Sequence, residues 1–415
     1  MSESDPTARV AETSVAMDLP LRMHPLVYLA DGDEVTIGRR DTDSYAILPE
    51  DGAELVRRLE AGLTPRAAAE WYEREYRETV DIGEMIAGLD ELGFVCGADE
   101  EPTAPEGVRW ARFGAALFST PALVVGAALV AWAVVLMARD PDLAPAYDNV
   151  FYTDYFTVMQ VGLFLAAIPL LLLHESFHAL AGRRLGLRST LRIDNRLYYI
   201  VLETAMDGLV TVPRRQRYLP IVAGALADVL AIAVLTIAAD LTRHQDGTLS
   251  PGGRFALAVA FVTLLRIVWQ FSFYLRTDFY VLVTTVLGCD DLHTTAKRTL
   301  RNRVNSALGR RHKIIDESDW HPVDRKVAAW YWWMIPLGYA ISLVTFAVAV
   351  VPIAVRLYGG AVERFLGDSG ATDLELLDSS VFLFFSMLPI AIICVLALRN
   401  RRRGRGERRL HHVIT

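Results

Sequence analysis

Six stretches of this 415-residue chain are apolar for long enough to cross a lipid bilayer, and no other feature limits its possible folds as strongly. They run over Phe113–Met137, Val158–Ala181, Leu219–Leu241, Phe255–Leu275, Ala328–Val355 and Val381–Leu398. Within hydrocarbon each backbone amide must find its partner inside the protein, so the stretches are expected to be helices. A further apolar run, Phe279–Leu287, is too short to cross alone and is expected to continue the fourth span past Asp278. The first hundred residues are instead charged and soluble in character. Cys96, Cys289 and Cys394 lack pair spacing, so neither a disulfide framework nor a cysteine zinc site is indicated.

Basic residues crowd alternate loops. Arg183, Arg184, Arg188, Arg192, Arg196, Arg214, Arg215 and Arg217 follow the second span. Lys297, Arg298, Arg301, Arg303, Arg310, Arg311 and Lys313 follow the fourth, and Arg399, Arg401, Arg402, Arg403 and Arg405 follow the sixth. The other loops are acidic or nearly so. This alternation predicts a multi-pass protein of the cytoplasmic membrane with both termini in the cytoplasm. The polar opening MSESDPTARVAETS has no apolar core, so no signal peptide is expected.

Ionisable residues interrupt the second apolar run at LLLHESFHAL, where His174, Glu175 and His178 follow HExxH spacing. Positions four apart share one helix face about 6 Å apart along the axis, so both imidazoles can reach one metal ion. Glu175 falls between them, where it can take a proton from metal-bound water. A structural metal, or a buried His–Glu pair tying helices together, is compatible with the same residues. A catalytic zinc needs a third protein ligand. Asp278, in YLRTDFYVL, is the leading candidate because it is an acid in apolar sequence at matching depth. Its competing role is a salt bridge to Arg276 or Arg266, and its rivals as ligand are Asp290, Asp291 and His293. Asp228, in AGALADVLAIAVL, is the other intramembrane acid; it can bind substrate backbone, line a water path or pair with a neighbouring helix. Between the second and third spans STLRIDNRLYYIVLET is rich in β-formers and reads as a small strand or hairpin. An edge there would hold a substrate extended.

HESFHALAG on a membrane helix, a β-rich loop, AGALADVL and then LRTDFY together resemble the site-2-protease-type intramembrane zinc metalloproteases, in particular the bacterial peptide zinc metalloprotease branch. The resemblance covers Val158 to Leu292. It implies a mostly α fold, with a six-transmembrane-helix metalloprotease core at 112–398 and a small β element after the HExxH helix. It further implies one zinc per chain held by His174, His178 and Asp278, with Glu175 as general base and a peptide or membrane-associated protein as substrate. The chain departs from the family at Phe279, where glycine is usual, and at Gly224-Ala225-Leu226-Ala227-Asp228, where Gly-Pro-x-x-Asn is frequent.

Residues 23–97 read as a cytoplasmic α+β, winged-helix-like domain. LVYLA and EVTIGRR flank a turn at Asp31-Gly32-Asp33, and SYAILP supplies a third strand. AELVRRLEAG forms a helix stopped by Gly62; Thr64 and Pro65 start a second; DIGEMIAGLDEL is a third, with Leu89, Leu92 and Phe94 facing inward. This pattern resembles the pyrroloquinoline quinone synthesis protein D-like modules that bind leader segments of ribosomally made peptides. The resemblance implies leader addition at an edge near Tyr45–Leu48, against the helix Asp81–Leu92. A purely structural role for the domain is the alternative. Its acidic balance excludes nucleic acid as a partner. Residues 1–22 are expected to be a disordered tail, 98–111 a linker and 399–415 a basic cytoplasmic tail. Two other functions fit the same pattern: regulated proteolysis of a membrane-anchored signalling protein, and a non-hydrolytic metal-binding partner in peptide export or immunity. The intact Glu175 argues against the last.

Overall fold

The computed structural model describes residues 17–388, apart from 33, 40, 43, 98–99, 103–106, 197–198, 207, 319 and 368–369. The chain is mostly helical and divides into two compact units. Their limits after Val124, Leu173, Gly224 and Tyr280 fall within helices rather than at linkers.

The first unit holds the N-terminal domain, the end of the HExxH helix and the hairpin that follows it. Strands β1 (Val27–Asp31), β2 (Glu34–Gly38) and β3 (Tyr45–Pro49) form an antiparallel meander with β2 in the middle. Gly32, at φ +67°, makes the tight turn between the first two. Helices α1 (Glu50–Glu60), α2 (Pro65–Tyr76) and α3 (Ile82–Glu91) follow, as the sequence predicts. Their starts are sequence-encoded: Thr64 accepts from the Ala67 amide at 3.4 Å and Asp81 from the Glu84 amide at 3.0 Å. Alternation in β2 sends Val35 and Ile37 onto Leu55, Val56 and Leu59 of α1, with Ala68, Leu89 and Phe94 completing a core that excludes water. Tyr72 donates to Asp51, and this bond pushes the phenol up to about 12. A backbone bridge from Met23 to Val95 closes the domain on itself.

Five helices among the described residues are long and apolar enough to cross a membrane: α5 (Thr120–Arg139), α6 (Phe156–Arg183), α7 (Arg214–Leu241), α8 (Pro251–Trp269) and the run Met334–Leu366. That run comprises α12 (Met334–Thr345), a short π-helical stretch and α13 (Val351–Leu366). Large apolar side chains face outward along them, among them Val124, Trp132, Phe164, Leu165, Leu343 and Val348. Helices greasy on this scale suit lipid rather than water. The chain therefore has the character of a membrane protein.

The spans depart from expectation in instructive places. The first starts at Thr120, because Ala111–Leu117 is a separate short helix, α4. The fourth does not run on into Phe279–Leu287. It stops at Trp269, the chain unwinds through residues 270–277, and α9 begins afresh at Asp278 (Asp278–Leu287). Gln270, Ser272 and Thr277 bring polar groups that compete for backbone partners there, and Arg276 adopts a left-handed φ of +56°. Ala328, expected to open the fifth span, belongs to α11 (Pro322–Tyr331), outside the membrane-length helix. The basic stretch after the fourth span contains a helix of its own, α10 (Leu292–Ala307), and leads into α11. Of the sixth expected span, residues 381–388 are helical and 389–398 lie outside the described residues, as do the tail at 399–415 and residues 1–16.

Leu55 is fully enclosed in the N-terminal core. We expect Leu55→Ala to lower the stability of this domain by about 2–5 kcal/mol. Hydrogen exchange of α1 to α3 in the full chain measures it, with loss of protection confined to 23–97 as the expected result.

Candidate metal centre

The HExxH segment lies on the last three turns of α6. That helix is anchored at its other end by a distant residue: the Asp378 carboxylate accepts from the backbone amides of Phe156 at 2.7 Å and Thr157 at 3.0 Å. The two bonds satisfy amides that an unassisted helix start leaves open, and place negative charge at the positive end of the dipole. His174, Glu175 and His178 are all buried.

His178 is fixed by α7. Its Nδ1 lies 2.7 Å from the Pro220 carbonyl oxygen, which places the ring proton on Nδ1 and leaves a lone pair on Nε2. That Nε2 faces His174 Nε2 at 3.2 Å. The imidazoles can come this close to α7 because residue 224, one turn after Pro220, is glycine. A Cβ on Gly224 would run into both rings. Pro220 also lines a cavity of about 480 Å³ with Ala181, Arg184, Arg215 and Leu219.

Glu175 is held by the hairpin that follows α6. Strand β4 (Ser189–Arg196) pairs antiparallel with β5 (Tyr199–Met206), matching the β-rich loop of the sequence. From β5 the Thr204 hydroxyl donates to Glu175 Oε2 at 2.8 Å and lies 3.1 Å from the Glu175 carbonyl oxygen. Glu175 Oε1 accepts no hydrogen bond from the described residues.

Asp278 opens α9, where the break after α8 has put it. Gln270 grips it at two points: Gln270 Nε2 donates to Asp278 Oδ2 at 3.0 Å, and the Asp278 amide donates to Gln270 Oε1 at 3.1 Å. The Thr277 hydroxyl donates to the Gln270 carbonyl at 2.5 Å, so the unwound segment is closed by side chains. One ligand atom each from His174, His178 and Asp278 lies within 4.8 Å of the others.

This donor set fits a divalent ion. A carboxylate oxygen and two imidazole nitrogens, one with its lone pair already assigned, converge among buried surroundings. A single shared proton can reconcile two of these acceptors, whereas a cation satisfies all three at once. Two nitrogens and one oxygen make a three-ligand set that leaves one position open on a tetrahedral zinc, and no cysteine takes part.

Arg266, one of the two arginines that Asp278 could have paired with, makes an ion pair with Asp228. Its Nε donates to Asp228 Oδ2 at 3.0 Å and its Nη2 to Oδ1, while Nη2 also reaches the Leu170 carbonyl at 3.4 Å. Asp228 is thus in a buried pair with a neighbouring helix, one of the roles its sequence left open. The rival ligands have other tasks. Asp291 caps α10 through the Thr294 amide at 3.4 Å, and Asp290 is exposed, outside the three-residue cluster. His293 packs against Tyr280, and burial pushes its imidazole down to about 4. Sequence reading missed Gln270, Thr204 and the Pro220 carbonyl, and it met Gly224 only as part of a motif. Gln270 alone left a signal, as the first of the polar residues breaking an apolar run.

Comparison with protein-family models, curated proteins and solved structures gave no match.

We expect Gln270→Ala to weaken metal binding by about 10–100-fold while the chain stays folded. Gly224→Ala should do the same by pushing the imidazoles apart. Metal content after dialysis against buffered chelator measures both, and metal retention equal to the unmodified chain would remove these residues from the site.

Proposed function

We propose that this chain is an intramembrane zinc endopeptidase acting on a peptide or membrane-associated protein. The reading rests on one observation above others: a carboxylate oxygen lies within 4.8 Å of two imidazole nitrogens, and the imidazoles belong to a membrane-length helix that also carries Glu175. It agrees with the resemblance of His174–Gly182 and Leu275–Tyr280 to site-2-protease-type metalloproteases.

His174, His178 and Asp278 would hold the ion, with the Pro220 carbonyl and Gln270 fixing their orientation. A bound zinc supplies Lewis-acid activation of a water molecule and of the scissile carbonyl. Glu175 accepts the water proton at Oε1 and returns it to the leaving amine, while Thr204 steadies the other oxygen. The β4–β5 hairpin, which already touches Glu175 through Thr204, offers an edge for an extended substrate. An extended chain exposes each amide to attack, as a helical one does not.

The N-terminal domain is the proposed capture device for a ribosomally made precursor peptide. β3 forms an edge of its sheet and exposes Tyr45 and Ile47. An edge strand with apolar side chains accepts a further strand readily. Capture there would raise the substrate's local concentration without altering the chemistry. The proposed topology has both termini in the cytoplasm and a sixth span completing the core, a reading supported by the alternation of basic loops.

Glu175→Gln should keep one zinc per chain and lower peptide cleavage by at least about 100-fold. Asp278→Ala should lower zinc content itself. The assay is protein in liposomes incubated with a peptide pool and read by mass spectrometry. Cleavage by the Glu175→Gln chain at the unmodified rate would reject the general-base role, and full zinc in Asp278→Ala would reject the third ligand.

A further inference from the structure

Helices α10 and α11 carry a second constellation, remote in kind from the His–Glu–His chemistry. From α10, Thr299, Asn302, Arg303 and Ser306 recur at i, i+3, i+4 and i+7; from α11, Pro322, Arg325, Lys326 and Ala329 repeat that spacing. Each set therefore forms one helix face. With Ile314 and Glu317 of the connecting loop they line a pocket of about 740 Å³.

The pocket has a built frame. Asn302 grips the loop at two points, donating to the Ile315 carbonyl at 2.9 Å and accepting from the Ile315 amide at 2.8 Å. Asn305 donates to the Lys313 carbonyl at 3.2 Å. Buried Asp324 ties the start of α11 to the chain before α10, accepting from the amides of Asp290 at 3.0 Å and Asp291 at 2.8 Å. Arg303 is held over the Trp332 ring, 5.2 Å from its centroid, and donates to the Ala329 carbonyl at 3.3 Å. Its guanidinium is thus placed before any ligand arrives. Three cations line the pocket against one acid, Glu317, whose Oε1 accepts from Asn302 at 3.2 Å.

We infer that this pocket binds the phosphate headgroup of an anionic phospholipid. The cations, with the exposed Ser306 hydroxyl, suit a phosphate oxyanion. A lipid rather than a free phosphate is indicated by what adjoins the pocket. The membrane-length run Met334–Leu366 begins three residues after α11 ends, and Trp330 and Trp333, both exposed, stand at that junction. Exposed tryptophans at the start of an apolar span sit at headgroup depth, where a basic pocket meets lipid phosphate. The loop's positive charge thus gains a ligand beyond its part in orienting the protein.

The full chain, delipidated in a neutral maltoside detergent, is titrated with dioleoylphosphatidylglycerol, dioleoylphosphatidylcholine or inorganic phosphate and followed by native mass spectrometry. We expect one phosphatidylglycerol held at least about tenfold more tightly than phosphatidylcholine, and no displacement by millimolar phosphate. Arg325→Gln with Lys326→Gln, both exposed, should lower that affinity about tenfold or more. Arg298→Gln with Arg301→Gln removes equal charge from α10 outside the pocket and should leave affinity within about twofold. Glu317→Gln should raise it. Equal losses in the two double variants, no preference between the lipids, or saturation by inorganic phosphate alone would each overturn the assignment.

Discussion

Polar groups buried among membrane-length helices must be satisfied by the protein or by an ion, and this requirement organises the site. Two imidazoles and a carboxylate brought within 4.8 Å in an apolar setting are costly unless their lone pairs meet positive charge. Each is aimed by a specific partner: His178 by the Pro220 carbonyl, Asp278 by Gln270, and Glu175 by Thr204. Gly224 leaves the room in which the imidazoles sit.

The supports come from breaks in regular structure as much as from the helices. Asp278 is a helix-opening residue only because α8 ends at Trp269 and the chain unwinds before α9. Gln270, at the end of α8, therefore bridges the interruption that puts Asp278 at a helix start. Arg266, one turn before Gln270 in α8, pairs with buried Asp228 and keeps a second carboxylate occupied. At the far end of α6, Asp378 supplies the cap that fixes where the helix starts, and so contributes to where His174 and His178 fall.

Features governed by local spacing were legible in the sequence. HExxH forces its residues onto one face of any helix, and the hairpin of the N-terminal domain is written in alternation around Asp31-Gly32. Asp278 stood out as an acid in apolar sequence. Averaged hydropathy failed where a few polar side chains outweigh many apolar ones: it carried the fourth span through Gln270 and Thr277, and it merged Ala328 with the fifth. Contacts between residues far apart in the chain were invisible, as with Thr204 on Glu175 and Asp378 on Phe156. The basic stretch before Trp330 read as a topology signal because charge counting cannot show that Arg303, Arg325 and Lys326 share a pocket.

The central claim is that His174, His178 and Asp278 bind one zinc ion as a set. X-ray absorption at the zinc edge, on the full chain in detergent, tests it most directly. We expect one zinc per chain with only nitrogen and oxygen in its first shell, four ligands at about 2.0–2.1 Å and imidazole scattering from two rings. No bound zinc, sulfur in the first shell, or a spectrum unchanged by the loss of Asp278 would contradict it.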